Sequence, residues 1–451
     1  MSNRGPRTFR RSTDGRLTGH PGAGGLASAL APVATATNAT WVAAAITDAD
    51  RQAAAEGPID DNGVRFRFLT PDRVRYRQAY DEIANATLWF LNHRLFDLAR
   101  QPRLDPRWWE AWEAYREINR CFAVAVMEAA PPGATVLVQD YHLALVGRWL
   151  RHERPDLRTV HFTHTPFCDP ADMGILPGQV ASELLTGLTS HRACGFHTSR
   201  WAEAFAGCCR DVLGIDPLTF VAPLGPDIEG LREVARSAEC AAAGSRLEEL
   251  VGDRRVILRV DRIEPSKNLL RGFLAFDQLL ESRPDWRGRV VFVAVVYPSR
   301  EHLADYAAYR VEVEELVARV NQRWARPGWT PIVLDTEDNL PRSVAALTRY
   351  DVLLVNPIRD GLNLVAKEGP LLNGRDGVLL LSREAGAWSE LGTAAIGLDP
   401  FDVRATSAAL QTALTMGETD RRDHARAVRA AAGARGPRDW LADQLAAAGA
   451  G

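Results

Sequence analysis

Cysteine is scarce and poorly spaced for chemistry. The six residues (Cys121, Cys168, Cys194, Cys208, Cys209 and Cys240) include no CxxC pair, and adjacent Cys208 and Cys209 offer poor geometry for a disulfide or a shared metal. They read as reduced, buried thiols in a cytoplasmic protein. No run approaches the roughly 20 apolar residues needed to cross a bilayer, and the opening MSNRGPRTF lacks a signal-peptide apolar region. A cytoplasmic protein without membrane attachment is expected. Excess charge of one sign is also missing: 54 Lys and Arg face 57 Asp and Glu, giving a net −3 with no long basic run. That balance speaks against a nucleic-acid surface. Neither GxGxxG nor GxxxxGK[ST] occurs between a strand and a helix, which disfavours a dinucleotide dehydrogenase or a P-loop ATPase.

What is present is an ordinary globular composition, 46% hydrophobic and 25% charged, in a chain of 451 residues. That length exceeds one hydrophobic core and implies two domains. Short apolar runs (ATVLVQD, RTVHFTHTP, RVILRVDRI, RVVFVAVVY, YDVLLVNP, GVLLLS) alternate with amphipathic helical stretches. Such alternation predicts an α/β fold of parallel sheets covered on both faces. It weakens over 228–254, a strandless Ala-rich stretch. The expected division is therefore 1–235, 236–425 and a helical tail 426–451 packing back on the first domain. The tail reads as a helix, a Gly/Pro break and a last helix. No strand precedes the glycine loop GAGGL, so the first strand of a Rossmann-like N-terminal domain is expected to be missing, and an apolar upstream extension would supply it.

In open parallel sheets ligands gather beyond the carboxyl ends of the strands. Four strand ends carry chemistry: QDYH (Asp140, His142), HFTHTPF (His161, His164), RVDRIEPSKN (Arg262, Lys267) and NPIRDGLNLVAKE (Arg359, Asp360, Asn363, Lys367, Glu368). Each alone is open to reading as helix caps or ion pairs. In the last stretch Gly361 permits a turn and a helix begins near Asn363 to Val365, whose N-terminal amides suit phosphate. Glu368 suits the vicinal hydroxyls of a ribose. Arg262 and Lys267 supply cations for a diphosphate leaving group. His161 and His164, three apart on a strand, point to opposite faces and argue against joint metal ligation, while His164 is expected to face the ligand cleft. Asp48/Asp50 and Asp60/Asp61 read as solvated loop charges.

The motifs SNRGP, GAGGL, YDEIANATLW, QDYHL, HTPF, DRIEPSKN, YPSRE, RDGLNLVAKE and LSREAGA, in this order over nearly the whole chain, resemble the trehalose-6-phosphate synthase family of retaining GT-B glycosyltransferases. The resemblance implies two Rossmann-like domains facing a central cleft, and transfer of glucose from a nucleoside-diphosphate glucose to glucose 6-phosphate without a metal or other cofactor. It implies that Gly25, Arg262, Lys267, Asp360, Asn363, Leu364, Val365 and Glu368 bind the donor. Arg4, Tyr80, Trp89, Asp140 and Arg300 are implied to bind the acceptor. His164, Arg262, Lys267 and Asp140 are implied at the reacting centre. Partners are then small molecules, with no nucleic acid or membrane, and self-association is left open. The stretches TWVAAAITDADR and PLLNGRDGVLLLSREAGAWSEL also resemble validamycin-type pseudoglycosyltransferases, although RDGLNLVAKE keeps the sugar-donor pattern. Alternatives are a related transferase using glycerol phosphate or an aminocyclitol phosphate, and a catalytically dead sugar-phosphate-binding homologue.

Overall fold

The computed structural model describes residues 1–11, 17–21, 39–57, 59–61 and 64–449, and the chain divides into two units, Met1–Leu224 with Pro437–Gly451, and Gly225–Gly436. In the first unit β1 (Arg7–Arg11) pairs antiparallel with β2 (Leu17–Pro21). β3 (Thr40–Ala44) runs parallel to β5 (Val64–Leu69), which carries the short antiparallel β4 (Ile59–Asp61) on its far side. β6 (Thr135–Gln139), β7 (Arg158–Thr163), β8 (Ala193–Phe196) and β9 (Thr219–Val221) form a parallel ladder in that order.

The place of the expected missing strand is taken by residues 1–3. The Met1 amine donates to the Leu137 carbonyl at 2.9 Å and the Gln139 amide to the Met1 carbonyl at 3.0 Å. On the other side the Ser2 amide donates to Val42 O and the Ala44 amide to Asn3 O, both at 3.2 Å. Three residues therefore link β3 to β6 and satisfy backbone groups expected to stay unpaired. With that slot counted as the first strand, β5-β3-slot-β6-β7-β8 follows the 3-2-1-4-5-6 order of a doubly wound sheet. The Asp48/Asp50 reading is corrected in part. Asp50 is 2% exposed and accepts from the Phe9 and Thr47 amides at 2.8 and 2.9 Å, closing a capping box on helix Asp48–Ala55 and anchoring β1.

The second unit holds one six-stranded, all-parallel sheet. Its strands are β10 (Arg255–Ile263), β11 (Val290–Pro298), β12 (Ile332–Asp335), β13 (Val352–Val355), β14 (Val378–Ser382) and β15 (Ile396–Leu398), ordered β12-β11-β10-β13-β14-β15. This is again 3-2-1-4-5-6, and the direction of winding reverses between β10 and β13. The period-2 pleat sorts the apolar runs onto two faces. Ile257, Val352, Leu354, Val378 and Leu380 join the core on one face, while Leu258, Leu353, Val355, Leu379 and Leu381 join the other. Both faces are covered, which is why these strands read as unbroken apolar runs.

The unit limits fall at 224/225 and 436/437, where 235 and 425 were expected. Helix Ile228–Ala235 packs on helix Leu340–Arg349, and helix Glu418–Ala432 on helix Val365–Leu372, so both belong to the second unit. Only the last helix, Pro437–Ala447, is counted with the first. There Trp440 lies in edge contact with Phe162, and Ala448 joins the small core of Val160 and Ala193.

Candidate active site

In each unit the expected residues gather where the winding reverses, because strand ends there splay apart and leave backbone and side chains facing a crevice. In the second unit β10 delivers Arg262 at its end and a turn of Pro265–Lys267 delivers Lys267. The segment after β13 delivers Asp360 and Asn363. The Lys267 ammonium lies 2.6 Å from Asp360 Oδ2 and 4.0 Å from Asp261 Oδ1. Burial opposes its charge, but the two carboxylates outweigh burial and hold its pKa above the usual value. Asn363 donates to Asp360 Oδ2 at 3.2 Å and accepts from the Ala366 amide at 3.2 Å. Its φ of 80° places it in the left-handed region, which asparagine tolerates better than most residues. The helix starts at Val365 with Leu364 as its first flanking residue, so both sit at the N-terminus where a diphosphate is expected.

Buried Glu264 organises the cations beside this cluster. It lies 3.1 Å from Arg262 and 3.3 Å from Arg300, and accepts from Ser299 Oγ at 2.8 Å. Burial pushes its carboxyl up, but Arg262, Arg300 and Lys267 outweigh that and hold it ionised below the ordinary range. Arg300, expected with the acceptor residues, therefore shares a carboxylate with donor residue Arg262. Glu368, half-buried, meets no countercharge among the described residues, and burial raises its carboxyl to about 7. Lys367 is placed elsewhere, paired with Glu390 at 2.6 Å.

The first unit assembles Arg4, Tyr80, His142 and Asp140. Arg4 Nη2 donates to the Tyr80 hydroxyl at 3.0 Å, and the Tyr80 ring stacks on His142 at 5.5 Å. His142 Nδ1 lies 3.9 Å from Asp140 Oδ2. Asp140 follows β6 with φ 73°, and its Oδ1 accepts from the His164 amide at 3.1 Å. Trp89 is 3% exposed and packs on His93 with ring centroids 4.2 Å apart. Tyr80 and Trp89 share a helix whose segment Gln78–Leu88 is wound as a π-helix, with Asn85 Nδ2 donating to Tyr80 O and the Trp89 amide to Ala84 O.

One expectation changes and one falls outside the described residues, namely Gly25. His164 does not present an idle ring nitrogen to a ligand: its Nδ1 is 3.2 Å from His197 Nε2 and its Nε2 is 2.9 Å from Gln139 Oε1. Burial, then neighbouring His197 and His161, hold it neutral, well below the usual histidine range. His161 instead bonds the Asp140 carbonyl at 3.1 Å. Among the described residues no three His, Cys, Asp or Glu side chains gather as a metal group, all six cysteines are free thiols, and no helix is long and apolar enough to cross a membrane.

Sequence reasoning missed Glu264 and Asp261 as the groups that fix the cations. One compositional signal pointed there: of 54 cationic residues only Lys267 and Lys367 are lysines. Where every other cation is arginine, a retained lysine marks a place that takes a compact ammonium rather than a planar fork.

The profile of "Glycosyltransferase family 20" matches residues 1–448. A "Trehalose-6-phosphate synthase" of Mycobacterium sp. (strain KMS) is 31% identical over 456 residues, covering 95% of this chain and 90% of that protein. A "Bifunctional trehalose-6-phosphate synthase/phosphatase" of Thermoproteus tenax is 33% identical over 356 residues, 76% of this chain but only 48% of that longer protein. Among solved structures, an alpha,alpha-trehalose-phosphate synthase (UDP-forming) from Burkholderia xenovorans in complex with glucose-6-phosphate superposes with a TM-score of 0.84 at 26% identity, covering 95% of this chain and 97% of that one. A family match along almost the entire sequence, on two 3-2-1-4-5-6 sheets with charged strand ends at each reversal, means that the chain belongs to glycosyltransferase family 20, the trehalose-6-phosphate synthase family, and is a glycosyltransferase of GT-B fold.

Proposed function

We propose that the protein transfers glucose, with retention, from a nucleoside-diphosphate glucose to glucose 6-phosphate, giving trehalose 6-phosphate. The single observation that carries this is the cluster of Lys267, Asp360 and Asn363 beside the Arg262–Glu264–Arg300 group at the β10/β13 reversal. Arg262, Lys267 and the helix amides there suit the charge that develops on a departing diphosphate, and Asp360 suits hydroxyls of the sugar that Lys267 helps release. In the other unit Arg4 and Tyr80 suit a phosphorylated sugar, with Asp140 on its hydroxyls. The UDP-forming relative with glucose-6-phosphate supports uridine as the base and glucose 6-phosphate as the acceptor.

The step balances without a metal or a protein nucleophile. The bond from the anomeric carbon to the diphosphate oxygen breaks, the acceptor hydroxyl bonds to the same face of that carbon, and its proton passes to the departing phosphate oxygen. Asp140, with one oxygen on the His164 amide, is left to orient the acceptor. The test is nucleotide release from UDP-, GDP- and ADP-glucose with glucose 6-phosphate, glycerol phosphate and an aminocyclitol phosphate, followed by NMR of the product. An α,α-linked disaccharide phosphate from UDP-glucose is expected. Release only with the cyclitol would favour the pseudoglycosyltransferase reading, and no release with any pair would favour the inactive homologue.

A further inference from the structure

Five groups in the first unit form an unbroken polar chain, none of which takes part in the proposed bond-making step. The Leu224 amide points at His197 Nδ1 at 3.4 Å. His197 Nε2 meets His164 Nδ1 at 3.2 Å, His164 Nε2 meets Gln139 Oε1 at 2.9 Å, and Gln139 Nε2 meets Gln444 Oε1 at 3.0 Å. One end is chemically unambiguous, since a backbone amide can only donate. Although that first bond is long, a proton on His197 Nδ1 would set donor against donor in a buried space. Nδ1 therefore accepts, and the neutral ring carries its proton on Nε2. That proton is given to His164 Nδ1, which leaves the His164 proton on Nε2 for Gln139 Oε1. The Gln139 amide must then donate to Gln444. Each bond fixes the sense of the next, and all four agree.

We propose that Gln444, on the last helix, and His197 are positioning residues that lock His164 as its Nε2–H tautomer and thereby hold the His164 amide on Asp140. His164, Gln139 and Gln444 are closely packed: Gln444 is 0% and Gln139 3% exposed, and the His164 ring rests on Phe162 and Trp440 at 4.9 and 5.7 Å between centroids. The low pKa of His164 agrees with a single neutral form. Asp140 needs such support because its φ of 73° is a strained conformation for an aspartate, which persists only where surrounding contacts offset the strain. The two ends of the relay have a common feature. Leu224 is the residue at which the chain leaves the first unit, and Gln444 lies on the segment by which it returns.

The link to acceptor use rests on the proposed function; the tautomer lock does not. Nitrogen-15 NMR of the ligand-free protein, assigned with His164→Asn, should show Nε2–H tautomers for His164 and His197. A His164 Nδ1–H signal in the unmodified protein would overturn the lock. Gln444→Met removes the acceptor at nearly equal volume. It should admit the second His164 tautomer and lower kcat/KM for glucose 6-phosphate about tenfold, as loss of a histidine-orienting partner does elsewhere. The KM for the nucleotide sugar should not change. Gln444→Glu, which keeps an oxygen acceptor, should restore both. Tautomers and acceptor kinetics unchanged in Gln444→Met would refute the role of Gln444, and a tautomer shift without an acceptor effect would refute the link to Asp140. If no donor and acceptor pair reacts, the proposed function fails while the NMR comparison still decides the lock.

Discussion

Lys267 shows what a single ammonium contributes. It is held between Asp360 and Asp261 with 13% of its side chain exposed, so its charge is in place before a diphosphate arrives and needs little reorganisation when negative charge develops. Lys267→Ala should lower kcat by about 100-fold or more while acceptor KM moves less than about threefold, read from steady-state kinetics; equal losses in both would count against a role at the leaving group. Lys267→Arg should not restore turnover, because a planar fork is not interchangeable with a compact ammonium and Arg259 already holds Asp261 Oδ2 at 2.9 Å. Glu368 gives a prediction with a definite sign. Its folded pKa, about 7, lies above the ordinary value of 4.5. The protein therefore gains stability from this group below about pH 4.5 and loses it as pH rises through 7. Glu368→Gln mimics the neutral form, so melting curves should show the variant gaining on the parent between pH 6 and 8. The gain should be about 1–3 kcal/mol. These strand-end residues were legible in the sequence because a charged cluster interrupts an apolar run. Glu264 was not, since a carboxylate bridging Arg262 and Arg300 leaves no local pattern across 36 positions of chain.

The helix from Gln78 to His93 illustrates how an element places side chains that its sequence separates. Tyr80 and Trp89 are nine apart, and an α-helix would turn them to opposite sides at about 100° per residue. In the π-wound segment Gln78–Leu88 the i→i+5 bonding gives roughly 4.4 residues per turn, which predicts that residues nine apart return to about the same side. The Tyr80 ring meets Tyr76 and His142, and Trp89 meets Phe90 and His93. Asn85 supports the wide winding, donating to Tyr80 O at 2.8 Å and accepting from Tyr141 OH at 2.9 Å while fully buried. Asn85→Ala should lower stability by about 1–3 kcal/mol, leaving the Tyr141 hydroxyl without this acceptor, and should raise the KM for glucose 6-phosphate more than that for the donor. Thermal melts and two-substrate kinetics would check both halves. This stretch was legible only through family resemblance, because the π-winding period matches neither the 3.6-residue helix nor the two-residue strand pattern that periodicity reads. The strands of the second unit were the opposite case: their apolar runs are legible from composition because both sheet faces are buried.

At the scale of the molecule, two units each carry their own sheet and core, and the chain crosses between them twice, after Leu224 and after Gly436. The last helix buries Trp440 and Gln444 almost completely in the first unit. Truncation after Gly436 should therefore strike that unit. Loss of a buried tryptophan alone costs about 3–5 kcal/mol, which predicts a calorimetric transition lowered by roughly 5 °C or more with nucleotide protection of the other unit retained. A single transition shifted as a whole, with nucleotide protection lost, would contradict this division. The amino-acid sequence by itself determined the α/β class, the donor strand ends and the family, because apolar runs, helix signals and contiguous motifs are local. Tertiary structure alone decided that residues 1–3 occupy a strand slot, that Glu264 ties Arg300 to Arg262, and that Gln444, from the far end of the chain, meets the Gln139 that bonds His164. Those contacts depend on hydrogen bonds and charges meeting across tens to hundreds of residues, and chain order carries no record of which groups folding will bring into hydrogen-bond or ion-pair distance.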